Sequence, residues 1–239
     1  MTTFLVDYAD LIGQLKPNQR IMISSAGNRW DFGPVSIGSG TGKKITAEIL
    51  KKYINSYKNG KLSREQLIEK IEFTESDKNA KNATDLELLT SIFKRLYKPD
   101  LSDTYYSSDP IYYERLNNFG VIYKMKMYSS STDRDGNHTI TTLGLSGLSS
   151  EERNKKVESM YPQFEKDLLE NILEYGKTVR SLDNDETLMF KVKLTQCIGC
   201  DMPKRIEISI KQSDLVAYNS GKLSKSNALG KFNIKKVNN

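Results

Sequence analysis

The sequence predicts an α+β fold, with antiparallel sheet covered by helices on one face and built from internally duplicated helix-strand-strand-helix-strand modules. Three observations predict it. Tyr57-Lys58-Asn59-Gly60-Lys61-Leu62-Ser63 returns near the end of the chain as Tyr218-Asn219-Ser220-Gly221-Lys222-Leu223-Ser224. With the same offset, Ile45, Ile54, Ile68, Ile71 and Phe73 fall on Ile206, Leu215, Leu229, Phe232 and Ile234, so apolar positions match apolar positions. Short loops join the alternating segments, which favours neighbouring antiparallel strands.

The first module opens with Phe4, Leu5, Tyr8, Leu11, Ile12 and Leu15 at helical spacing, closed by Lys16-Pro17-Asn18. Strands follow at 20–24 and 45–49, then a helix to about residue 58. Gly60 suits a left-handed helix stop, and Ser63 with Gln66 makes a capping box for the next helix. Residues 71–73 alternate as a short strand. The last module repeats this order with a helix over 164–181, strands over 186–194 and 204–210, helices over 213–220 and 225–230, and a strand over 231–237. Between them, Leu86, Leu89, Ile92, Phe93 and Leu96 mark a helix over 84–97. A strand is expected over 119–128, a turn over 133–137, a strand over 139–145 and a helix capped by Ser149 and Glu152 running to Tyr161. That order suggests a third, degenerate copy. The polar stretch 74–83 separates the first copy from the rest, giving a first module at 1–75, a linker at 76–83, a middle module at 84–161 and a last module at 162–239.

Composition places the chain among ordinary globular proteins: 239 residues, 37% hydrophobic and 28% charged, with no apolar run of membrane-spanning length. The net charge of +6 comes from lysines scattered along the chain rather than from a basic arm. Residues 1–15 read as an amphipathic segment, without the basic, apolar and small-residue regions of an export signal. The matching helix of the last module starts earlier, so the chain reads as cytoplasmic, or as exported if it is a mature or truncated form.

Cys197-Ile198-Gly199-Cys200 holds the two cysteines. The spacing allows a disulfide, a redox pair or half a zinc site. Structural zinc wants four ligands, and His138 is the single histidine. A redox pair belongs at a helix start, whereas this one falls between two expected strands. A possible disulfide is the expectation, with thiol chemistry as the enzymatic alternative. Gly38 to Lys44 fails the phosphate-loop pattern, because Ile37 and Lys44 stand where Gly and Ser or Thr are needed. Asp133 to Asn137 reads as a turn rather than a calcium loop, with Gly144 where a bidentate Glu is required. His138 has no nucleophile or acid beside it in sequence. No catalytic residue, metal site or cofactor is assigned. Arg29, Trp30, Asp31 and Phe32 lie in a loop longer than its counterpart and carry residue types enriched at binding hot spots, which makes that loop the expected partner surface.

Phe119-Gly-Val-Ile-Tyr123, the run from Tyr161 to Asn171 and the closing Tyr-x-x-Gly-Lys-Leu-Ser element resemble internally repeated envelope-type proteins of Bacteroidota. The resemblance implies an envelope or periplasmic setting and brings no activity with it. The expected function is a non-enzymatic binding or structural protein with a protein or glycan partner; thiol chemistry at Cys197 and Cys200 comes second, polyanion binding third, and nucleic acid is not the expected ligand.

Overall fold

Each Gly-Lys-Leu-Ser run stops one helix and starts another. In the computed structural model, which describes residues 1–24, 44–76, 84–116, 118–195 and 197–238, Gly60 and Gly221 take left-handed φ values of 68° and 73°. Ser63 and Ser224 then accept the amides of Gln66 and Asn227 at the next helix start. The chain forms two units, Met1–Asn82 and Ala83–Asn239.

The first unit runs α1 (Thr2–Asp7), a 3-10 turn at Ala9–Leu11, β1 (Arg20–Ser24), β2 (Lys44–Leu50), α2 (Lys51–Lys58), α3 (Arg64–Glu69) and β3 (Glu72–Ser76). Its strands form an antiparallel sheet in the order β1-β2-β3. The helix expected over 3–15 is shorter than its apolar pattern, and Leu11 is exposed. Leu5, Val6, Ala9, Ile49, Ile54 and Leu67 make the centre of a small core. Glu72–Ser76 completes the sheet, so the strand extends past the expected 71–73.

The second unit runs α4 (Thr84–Leu96), β4 (Tyr112–Leu116), β5 (Gly120–Met127), β6 (Ser131–Thr132), β7 (His138–Ile140), β8 (Leu145–Leu148), α5 (Ser150–Gly176), β9 (Thr187–Leu194), β10 (Arg205–Lys211), α6 (Gln212–Asn219), α7 (Lys225–Leu229) and β11 (Asn233–Val237). The main sheet has the order β11-β10-β9-β5-β4, and β6, β7 and β8 make a separate small sheet. Pairing is antiparallel except between β5 and β9, which run parallel. The two helices expected on either side of residues 161–162 are one helix of 27 residues with Pro162 inside it. Pro162 removes a single i to i−4 bond, and buried Val157, Phe164, Leu168 and Ile172 on both sides of it hold the helix to the core. The strand expected at 139–145 divides into β7 and β8, because Gly144 at φ 64° turns the chain.

Both units contain strand, strand, helix, helix, strand in that order, and the pairing registers correspond. Ala47 opposes Phe73 as Ile208 opposes Ile234, and Ile21 opposes Ile49 as Leu188 opposes Ile210. Lys51 Nζ donates to the carbonyls of Ala9 and Asp10, and the corresponding Gln212 Nε2 donates to that of Val179. In each unit a buried side chain at the start of the post-strand helix thus satisfies carbonyls left over by an earlier helical segment.

Leu188, Phe190, Val192 and Leu194 point to one face of β9 and are buried. The Phe190 ring lies 4.7 Å from Phe93 of α4 and 4.9 Å from Tyr123 of β5. α5 covers the same face, with Gly176 against Leu188 and Lys236 of β11 paired to Glu165 at 2.7 Å. Gly120 starts β5 at φ 126°, where a Cβ would strike the Thr187 backbone. Asp85 ties α4 to the segment after α5 by accepting the amides of Arg180 and Ser181 at 2.6 and 2.7 Å. Partial burial opposes its ionisation, and these amides outweigh that and hold its pKa below the usual 3.8.

Two outcomes follow. Phe190→Ala removes a ring from the centre of the second unit and lowers its unfolding free energy by about 3–5 kcal/mol, read from urea unfolding. Because the folded pKa of Asp85 is depressed, its contribution is present above the unfolded value and is lost as pH falls through the folded one. Asp85→Asn therefore lowers the thermal midpoint at pH 6, and the gap from the parent protein closes as the pH is taken below 3.8.

Candidate binding face and the start of the long helix

Among the described residues of the second unit, helices cover one face of the main sheet and leave the other open. Strand alternation puts Lys124 and Lys126 of β5, Lys191 and Lys193 of β9, and Arg205 and Lys211 of β10 on that open face. Register aligns them into rows: Lys124 opposes Lys191, and Lys126 opposes Lys193, which opposes Arg205. Lys235 of β11 extends the first row through Glu207. Glu114 lies 2.8 Å from Lys124, and Glu207 lies 3.4 Å from Arg205 and 3.9 Å from Lys191. Cations outnumber carboxylates along these rows. Ile122, on the same side of β5, is 9% exposed, whereas Lys124, Lys126 and Lys191 keep their side chains partly in solvent.

A second group of polar side chains surrounds the start of α5. Ser149 and Glu152 form the expected capping box, with the Ser149 hydroxyl accepting the Glu152 amide. His138 is 7% exposed, with Nδ1 3.0 Å from Thr132 Oγ1 and Nε2 3.2 Å from Ser150 Oγ. Sequence gave this histidine no partner, because β6 and the first turn of α5 reach it only through the β7 and β8 pairings. Arg153 is 9% exposed, and its side chain makes no ion pair with a described residue and leaves Nε without a partner; burial lowers its pKa from the usual value.

One turn along, Asn154 Nδ2 donates to the Ile198 carbonyl at 2.8 Å, and Asn154 Oδ1 lies 3.2 Å from Cys197 Sγ. The Asp201 amide donates to Glu158 at 2.8 Å, so α5 carries the whole cysteine loop. Cys197 and Cys200 are adjacent, with Cα atoms 5.4 Å apart, a separation that accommodates a disulfide. They lie in the connection between β9 and β10, not at a helix start. Ile198 at the loop tip is 84% exposed.

Arg29, Trp30, Asp31 and Phe32 lie outside the described residues, as does the glycine stretch from Gly38 to Gly42. Asp133 closes the 133–137 turn by accepting the amides of Asp135 and Asn137 at 3.0 and 2.9 Å, which occupies one of its oxygens. Among the described residues, no group of three or more His, Cys, Asp or Glu side chains is placed to hold a metal, and no helix is long and apolar enough to cross a membrane.

Comparison with protein-family models, curated proteins and solved structures finds no match. Sequence reasoning identified the cysteine loop and the histidine but not the open face, because scattered lysines become rows only when strand register is known. A disulfide between Cys197 and Cys200 is expected in protein isolated without reductant. Intact mass checks it: about 2 Da below the reduced chain for the disulfide, and no difference for free thiols.

Proposed function

We propose that the chain is a binding protein that holds an acidic glycan on the open face of its main sheet. The observation that carries this reading is the alignment of Lys124 with Lys191 and of Lys126, Lys193 and Arg205 across neighbouring strands. Strands about 4.8 Å apart, with same-face residues nearly 7 Å apart along each, place cations at the spacing of charges on a linear polyanion. Cations aligned in rows attract such a chain more than the same number scattered over a surface, because their fields add along the rows.

Two features favour a glycan over a nucleic acid. Single-stranded nucleic acid is usually held by aromatic side chains that stack on bases. On the open face of β9 and β10 the residues beside the cations are Thr187, Met189, Glu207 and Ser209, none of them aromatic. The rings on this side, Tyr112 of β4 and Tyr128 just past β5, stand at its margins, and Tyr128 is already engaged, with Tyr106 stacked on it and Lys126 over its ring. Nor, among the described residues, does a helix protrude from this face to read a duplex groove. The likeness to Bacteroidota envelope proteins agrees with an exported glycan-binding role. The shared strand order and register of the two units support reading them as copies of one duplicated module. The same reading makes Cys197 and Cys200 a clasp for the β9–β10 loop, suited to an oxidising compartment.

Affinity for heparin, used as a sulfated model glycan, is the test. Binding should weaken steeply with added salt, and Lys193→Glu combined with Lys235→Glu should weaken it tenfold or more at low salt, since about 1 kcal/mol attends each close charge contact. Both lysines are exposed and neither has an ion-pair partner among the described residues, so the fold should persist. Unchanged affinity in the folded double variant rejects the assigned face. Tighter binding of single-stranded DNA than of heparin would move the ligand class to nucleic acid.

A further inference from the structure

Ser150 opens α5 with its hydroxyl exposed, 3.2 Å from the buried Nε2 of His138. The other ring nitrogen, Nδ1, is 3.0 Å from Thr132 Oγ1. Hydroxyl groups both donate and accept, so the pair of contacts admits the tautomer in which Nδ1–H donates to Thr132 and Nε2 keeps its lone pair for the Ser150 hydroxyl. That is the arrangement in which a base activates a hydroxyl nucleophile. The ring is held from both sides, since His138 opposes Thr132 on β6 and Leu148 on β8.

The surroundings suit a developing negative charge. The capping box consumes the amides of Ser149 and Glu152. Those of Ser150 and Glu151 have no partner among the described residues, as expected for the first turn of a helix. They are adjacent donors at the positive end of a 27-residue helix. Arg153 supplies an independent indication. It is nine-tenths buried, its Nε has no partner, and no described carboxylate pairs with it. Helical side chains run back over the preceding turn, which here is the turn that opens at Ser150. A buried guanidinium without a counter-ion, three residues along the helix from Ser150, is suited to an anionic substrate group.

We propose that Ser150 is a nucleophile, with His138 as its general base, acting on carboxylic esters that carry a negative charge. Ser150 Oγ adds to the ester carbonyl while His138 Nε2 takes the hydroxyl proton. The carbonyl electron pair moves to oxygen, where the Ser150 and Glu151 amides receive it. Collapse of that intermediate breaks the bond to the alcohol, which leaves with the proton from His138, and an acyl group remains on Ser150. Water then adds to the acyl carbonyl as His138 removes its proton. The acid departs and Ser150 is reprotonated. Water is the one co-reactant, and the cycle consumes no oxidant or reductant. The activity is separate from glycan retention on the sheet and does not depend on it.

The test uses the full chain and an alkyl fluorophosphonate, which phosphonylates activated serines, followed by peptide mass mapping. A single adduct on Ser150 is expected, absent in Ser150→Ala and formed about 100-fold more slowly in His138→Gln. Hydrolysis of 4-nitrophenyl hydrogen succinate should fall in the same order. Thr132→Val removes the acceptor for Nδ1 but leaves the ring in place, and should slow labelling several-fold; it stands in if His138→Gln does not fold. No adduct on Ser150 in folded protein overturns the assignment, as does a labelling rate that neither His138→Gln nor Thr132→Val changes.

Discussion

The parallel pairing of β5 with β9 is the constraint on which the second unit depends. Parallel neighbours cannot be joined by a hairpin, so the chain between them must leave the sheet, cross it and return. α5 makes that crossing, and its apolar stripe fixes which face of the sheet becomes interior. Phe93, Tyr123, Phe164 and Phe190 meet on that side. The pairing also requires a residue without a side chain where β5 begins, since Gly120 lies against the Thr187 backbone. The opposite side carries the charged rows, and the polar alternation of the strands follows from it.

The same crossing helix links the interior to the polar groups at its start. Its first turn meets His138, its second holds the cysteine loop through Asn154 and Glu158, and its later turns carry the core. At about 1.5 Å per residue it spans some 40 Å, so these roles are spread along one rigid element rather than gathered in one cavity. Buried residues flank Pro162 on both sides, from Val157 and Met160 to Phe164 and Leu168.

Much of the architecture was legible in the sequence, for identifiable reasons. Gly60, Ser63, Gly221 and Ser224 act through local backbone chemistry, and local chemistry survives in a single sequence. The apolar alternation of β5, β9 and β10 was visible because one face of each strand is fully buried. What was missed depended on distant partners. β4 has the burial pattern of a margin and carries Tyr112 and Arg115 toward solvent. α5 looked like two helices because Pro162 imitates a boundary when its packing is unknown. The hydrogen bond between Ser150 and His138 joins residues twelve apart through a sheet of very short strands, which no periodicity announces.

The matching registers of the two units have a consequence for how the chain reaches its native state. β2 and β3 present to β1 and to one another the same ladder spacing that β10 and β11 present to β9. Before either unit has consolidated, each strand pair is a competent substitute for the other, within one molecule or between two. Segments of one chain with matching pairing registers are prone to such exchanges. The differences between the two units then act as a sorting device. Lys51 against Gln212, and Ile23 in the place of Phe190, make a swapped partner fit its ladder while failing its core, so the wrong pairing can form early and still lose.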